Sequence, residues 1–227
     1  MKKKILSLTI GPVLVLGLIT IVLMLTMVKD SMIDEVQEAL KGTAAATLAA
    51  YDQNTGDYIE SSNGDIWKGS YNISKSESLV DRIKENSGMD VTFFYGDRRI
   101  MTSALDDNGE RILNSPAGER IVEKVLNGGE EYFSKAVSLE GELNYGYYMP
   151  VYQNGTTDQI IGMVFVGTDK KLKDAVVNKI LGSIILAVCV VMLICIVVGA
   201  KLSTSMTKNI RVSIGVVSKV ADGDLNV

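Results

Sequence analysis

MDVTFFYGDRRIMTSAL, from Met89 to Leu105, is the stretch on which the fold turns. Met89–Tyr95 and Arg98–Leu105 are rich in β-branched and aromatic residues, and Gly96-Asp97 between them is turn chemistry. Two such runs around a two-residue turn predict an antiparallel hairpin. The same composition returns at Glu131–Leu139, Leu143–Val151 and Gln159–Thr168. Their links, Glu140-Gly141-Glu142 and Gln153–Asp158, are turn-rich, so five strands are expected in one antiparallel sheet.

Helical periodicity surrounds these strands. Met32, Val36, Leu40, Thr43, Ala44, Thr47 and Leu48 recur at spacings of three and four, with Asp34, Glu35 and Glu38 on the other side, which predicts a long helix. Asp52–Ser78 reads as a loop with a short helix or turn and holds the only tryptophan, Trp67. A second helix is expected over Glu77–Asn86, stopped by Ser87-Gly88, and a short one over Gly118–Leu126, stopped by Asn127-Gly128-Gly129. Lys170–Lys179 reads as helix again. The order implies an α+β domain of PAS-like type, with helices on one side of the sheet.

Beyond this domain the side chains change character. Ile5–Val28 contains no charged residue in 24 positions, and Ile180–Ala200 none in 21. About 20 apolar residues of helix cross a bilayer, so each run is long enough to span. The first exceeds the roughly 7–15 apolar residues of a secretion signal, and no small-x-small cleavage site follows it, so it reads as a retained anchor. Residues 29–179 carry 16 basic and 25 acidic residues, a net of −9, whereas Lys2, Lys3 and Lys4 precede the first run and Lys201, Lys208, Arg211 and Lys219 follow the second. Basic residues mark the cytoplasmic side of a span. The expected organisation is a cytoplasmic N-terminus at 1–4, a first span at 5–28, an extracytoplasmic domain at 29–179, a second span at 180–200 and a cytoplasmic tail at 201–227. The chain is thus expected to be a two-pass membrane protein with both termini in the cytoplasm. Both cysteines, Cys189 and Cys195, fall inside the second run and leave the outer domain without a disulfide.

Composition narrows the chemistry. With no histidine, a Ser-His-Asp triad, a Cys-His pair, a zinc site of the usual histidine type and a phospho-accepting histidine are all excluded. No phosphate-cradling G-x-x-x-x-G-K-[ST] occurs. Asp106/Asp107 and Glu130/Glu131 are sequence neighbours, which point to opposite faces of extended chain and make poor acid–base pairs. Neither an enzyme, a cofactor nor a nucleic-acid partner is expected; small-molecule binding remains.

In the tail, Ile210, Ile214, Val217, Ala221 and Leu225 form a seam at steps of three and four, and Asp222-Gly223-Asp224-Leu225 closes it. Ser205–Ile210 together with Val220–Leu225 resembles the first helix of a HAMP linker, with Asn209 where that family usually has proline. The outer domain resembles a single Cache domain of methyl-accepting chemotaxis proteins. That likeness rests on Phe94–Ser103, Gly129–Phe133 with Ala136-Val137, Tyr145–Pro150 and Ile161–Gly167. Such receptors continue into a methylated coiled-coil hairpin, and the sequence ends at Val227 without it or the second HAMP helix. The resemblance therefore implies a receptor fragment, or a relative whose output domain or kinase-coupling machinery lies elsewhere. The sensor half of a histidine kinase or diguanylate cyclase, and a stand-alone binding protein, would look alike here. A homodimer through the helices is implied as well.

Cache pockets lie between the sheet and its covering loops, and related sensors take small organic acids or other polar metabolites. A carboxylate calls for a fixed guanidinium. Arg99, with Thr102 nearby, is the expected carboxylate contact. Tyr145, Tyr148, Tyr132 and Lys135 are expected to supply walls and donors, with Trp67 as a lid over the pocket or a staple to the core. Strand alternation forbids Tyr147 and Tyr148 from both facing inward.

Overall fold

A computed structural model describes the backbone of residues 2–139 and 141–221, and the side chains of residues 7, 10–139, 141–210 and 212–214. The chain forms two compact units. One is residues 31–176; the other is made from the remaining parts of two long helices.

In the larger unit, helix α1 (Lys2–Asp52) supplies its last turns, followed by three short strands, β1 (Tyr58–Glu60), β2 (Ile66–Lys68) and β3 (Tyr71–Asn72). After a 3₁₀ turn, Ile73–Lys75, come helix α2 (Glu77–Ser87) and the hairpin β4 (Asp90–Tyr95) and β5 (Arg98–Thr102). Helix α3 (Glu119–Ile121) winds directly into a π-helical turn, Val122–Asn127; then β6 (Tyr132–Leu139), β7 (Glu142–Tyr152) and β8 (Ile160–Asp169) lead into helix α4 (Lys170–Ala221). The five long strands form one antiparallel sheet in the order β5-β4-β8-β7-β6.

The α+β sheet fold expected from the sequence is the one observed, with three differences, the first being that helical segments cover both faces of the sheet and not one side only. Asp52–Ser78 is largely a three-stranded antiparallel sheet, β1-β2-β3, and not simply a loop. The second strand of the hairpin stops at Thr102; residues 105–117 instead run back along its outer edge, through Arg99 N–H to Ser115 O (3.1 Å), Asn114 N–H to Arg99 O (2.8 Å) and Ala117 N–H to Asp97 O (2.8 Å). That segment covers the edge of β5, which would otherwise present unpaired backbone groups.

Each face of the sheet buries its own core. On the first face, Val91, Phe93, Tyr145, Tyr147, Val164 and Val166 pack with Leu40, Ala44 and Tyr51 of α1 and Val80 of α2. The small sheet joins this face through Tyr58, stacked on Phe93 at 5.8 Å, and through Ile66. On the second face, Phe94, Tyr148, Met163 and Phe165 pack with Val125, Ile121 and Leu126 from the α3–π segment.

The smaller unit holds the apolar parts of α1 and α4, each long and apolar enough to cross a membrane. The hydroxyls of Thr20 and Thr26 donate to the carbonyls of Leu16 and Leu23 at 2.8 and 3.0 Å, which satisfies them without water. A Cβ on Gly17 would collide with the Met192 side chain, so this glycine allows the two helices to touch. Asp222–Leu225, which closes the HAMP-like seam, lies outside the described residues, as do the side chains of Val217 and Ala221.

Candidate functional site

Which face a side chain reaches follows from the register. Tyr148 pairs with Phe165 and Tyr132 with Tyr148, so all three lie on the second face. Thr92 pairs with Thr102 on the same face, and their hydroxyls share a 2.7 Å hydrogen bond. Arg99 reaches that face through an irregularity. The pairing of β4 with β5 shifts between Phe93 and Phe94: Phe93 faces Met101 while Phe94 faces Arg99, leaving Ile100 as an extra residue. Such a bulge reverses the alternation beyond it, and here it turns Arg99 onto the side of Phe94.

The result is an aromatic floor with basic groups beside it. The Tyr148 ring lies 4.8 Å from that of Phe165 and 6.3 Å from that of Tyr132. The Arg99 guanidinium sits 5.6 Å from the Phe94 ring centroid and donates through Nη1 to Ile112 O at 3.4 Å. Arg120, at the start of the α3–π segment, lies 5.8 Å from the Tyr132 ring centroid. Burial pushes the Tyr148 phenol well above its usual pKa, and the nearby positive charge of Arg99 opposes this. The phenol therefore stays a neutral hydroxyl, able to donate a hydrogen bond at any physiological pH.

Four of the seven residues singled out in the sequence thus meet on one face: Arg99, Thr102, Tyr132 and Tyr148. Thr102 is fully buried, with its hydroxyl occupied by Thr92 and by the Ala104 N–H at 3.2 Å, so it supports the floor. The other three stand elsewhere. Tyr145 pairs with Thr168 on the first face, where its hydroxyl meets Lys170 and Asp174. Lys135 is exposed, within the irregular pairing between Ser134 and Val137. Trp67 is half-buried on the outer side of the small sheet, between the inward-facing Ile66 and Lys68, opposite Ile59 and Asn72. The core contact from this strand is made by the neighbouring Ile66. Arg120 and Phe165, which complete the site, carried no local signal in the sequence.

Residues 71–180 match the family profile described as single Cache domain 3. The matched stretch runs from β3 into α4, and the fold is of the single Cache, PAS-like type. Arg99, Tyr148 and Tyr132 all lie within the matched residues. No curated protein matches the chain. Among solved structures, it is similar to an extracellular ligand binding receptor from Desulfohalobium retbaense, at 14% identity and a TM-score of 0.42 over 66% of this chain and 26% of that one. It is also similar to the ligand-binding domain of the Campylobacter jejuni chemoreceptor Tlp3, solved with L-valine, at 11% identity and a TM-score of 0.44 over 78% of this chain and 66% of that one.

Proposed function

We propose that this protein is a membrane-anchored Cache sensor that binds a small carboxylate-bearing ligand at the Arg99 face of its sheet. The observation that carries the reading is the bulge in β5, which turns a guanidinium from the edge of the sheet onto the same face as Tyr148 and Tyr132. A guanidinium suits a carboxylate because it bonds in a two-pronged fork, and phenol hydroxyls add donors. Arg120 gives the site a second positive charge at its exposed side. The chemistry is binding and not catalysis, in keeping with a chain that lacks histidine.

The two apolar helices anchor the Cache domain, and the basic residues near their ends favour a cytoplasmic location for both termini. Helix α4 runs unbroken from Lys170 to Ala221, so a displacement at the end of β8 enters the helix directly. In the chemoreceptor-type reading that displacement re-packs a HAMP-like helix in a homodimer, because packed helices have discrete arrangements. Exposed Ala39, Gly42, Ala45, Ala46 and Ala49 on α1 would allow close approach of a second copy. Cysteine cross-linking of Ala46→Cys in membranes tests that contact, and monomeric protein throughout would refute it.

Thermal-shift measurements on the full chain in detergent, against a panel of short mono- and dicarboxylates, test the binding reading. A ligand at 100 times its dissociation constant stabilises the folded state by about 2.7 kcal/mol, a shift of several degrees for a domain of this size. A shift that is lost in Arg99→Ala is expected. A flat panel from well-folded protein would overturn it.

A further inference from the structure

Strand β7 touches both the candidate site and the two long helices. Tyr148 lies in the site, whereas Tyr145 and Tyr147 point from the opposite face. Tyr147 donates its hydroxyl to Glu131 Oε2 at 2.5 Å, and the same oxygen pairs with Lys41 of α1 at 2.6 Å. Tyr145 accepts from Lys170 Nζ at 2.7 Å and donates to Asp174 Oδ1 at 2.7 Å, while Lys170 and Asp174 pair with each other at 2.9 Å. The Phe133 ring lies parallel to Tyr145, 8° off, at 6.2 Å. One strand therefore clasps α1 and α4 through phenols two residues apart.

The two helices are held very differently. Helix α1 buries Leu40, Ala44, Thr47 and Tyr51 completely. The first turns of α4 bury no side chain completely: Leu172 is 66% exposed, Val176 is 52% exposed, and Lys171, Lys173 and Ala175 are exposed too. Asp169 accepts the Leu172 N–H at 3.0 Å and caps the helix start, but a cap leaves the helix direction open. Among these residues, Lys170 and Asp174 are half-buried, and both point to Tyr145.

We propose that the Tyr145 hydroxyl is the joint that fixes how α4 leaves the sheet, with Lys170 and Asp174 as its two prongs. Tyr145 is a positioning residue: it lies outside the ligand face and acts on the helix. Tyr145 and Tyr148 are three residues apart on one pleated strand, about 10 Å, so a movement at the site reaches the joint through a single element. An ion pair this exposed is weak, which lets the joint open while the sheet stays folded. The coupling to the site rests on the proposed function; the joint itself does not.

Hydrogen–deuterium exchange of the full chain in detergent, without any ligand, tests the joint. In Tyr145→Phe, peptides covering residues 171–178 are expected to exchange about tenfold faster, with peptides from β4 and β8 unchanged. Unchanged exchange at 171–178 would overturn the proposal. If Tyr145→Phe also disturbs β4 and β8, Asp174→Ala removes a prong from the solvent side, and the same local acceleration is expected there. Its absence would overturn the joint equally. Because this readout needs no ligand, a failed carboxylate panel and a failed joint are separate results.

Discussion

Gly146 on β7 stands directly opposite Gly167 on β8, and the Phe165 ring occupies the space that their missing side chains leave. A Cβ on Gly146 would come within 2.7 Å of Phe165 Cε2 and 2.8 Å of Val137 Cγ2, and one on Gly167 within 2.6 Å of Phe165 Cζ. The glycine pair thus seats the ring against which Tyr148 packs.

Gly146→Ala is expected to destabilise the larger unit by about 1–3 kcal/mol, the usual cost of overpacking a filled core. Differential scanning fluorimetry should show a fall of several degrees in Tm. A melting point within one degree of the wild type would mean that Phe165 is free to move aside.

The Lys41–Glu131–Tyr147 cluster predicts a pH dependence. The hydrogen bond from Lys41, then that from Tyr147, lowers the Glu131 pKa, and the hydrogen bond to Glu131 raises that of Lys41. Burial, with the neighbouring carboxylate, pushes the Tyr147 phenol up to about 12. A depressed carboxyl contributes stability that is present above its unfolded pKa, about 4.3, and is lost as pH falls through the lower folded value. A raised lysine contributes stability that is present below about 10.4 and is lost as pH rises through its folded value. The Tm difference between wild type and Glu131→Gln should therefore be level from about pH 5 to 10 and shrink in acid. A difference that persists unchanged at about pH 2 would argue against the cluster.

Lys68 has a side chain only 2% exposed, with Nζ 3.3 Å from Asn154 Oδ1, 3.6 Å from Asp52 Oδ1 and 4.2 Å from the Tyr58 ring centroid. A buried ammonium gives back much of its pairing energy as desolvation, and Asp52, 49% exposed, stays solvated without it. Lys68→Met should stay within about 1 kcal/mol of wild type, whereas Lys68→Ala, which empties the space, should lose about 2–4 kcal/mol. Urea titration distinguishes the two. A Lys68→Met variant as unstable as Lys68→Ala would show that the charge outweighs the packing.

The five strands and helix α2 were legible because each has enough residues to show its own period. Glu77–Asn86 was expected for α2, and Glu77–Ser87 is found, ended by Gly88 in the left-handed conformation. Strands β1 to β3 were not legible: at two or three residues each, they are too short for alternation to register. They form because Ile66 and Tyr58 pack against the main sheet, a contact that local sequence does not encode. In the site, alternation correctly separated Tyr147 from Tyr148. Over three residues it also separates Tyr145 from Tyr148, which lie on opposite faces. The bulge that turns Arg99 left no mark in RRIMT, since it depends on how β5 meets β4.

Isothermal titration of the best carboxylate from the panel into wild type, Arg99→Ala and Lys135→Ala tests the central claim most directly. Losing a fork of charge-assisted hydrogen bonds should weaken binding about 10- to 150-fold in Arg99→Ala, while Lys135→Ala, altered at an exposed lysine outside the site, should bind as wild type does. Equal affinity in Arg99→Ala and wild type would contradict the account and move the ligand off the Arg99 face.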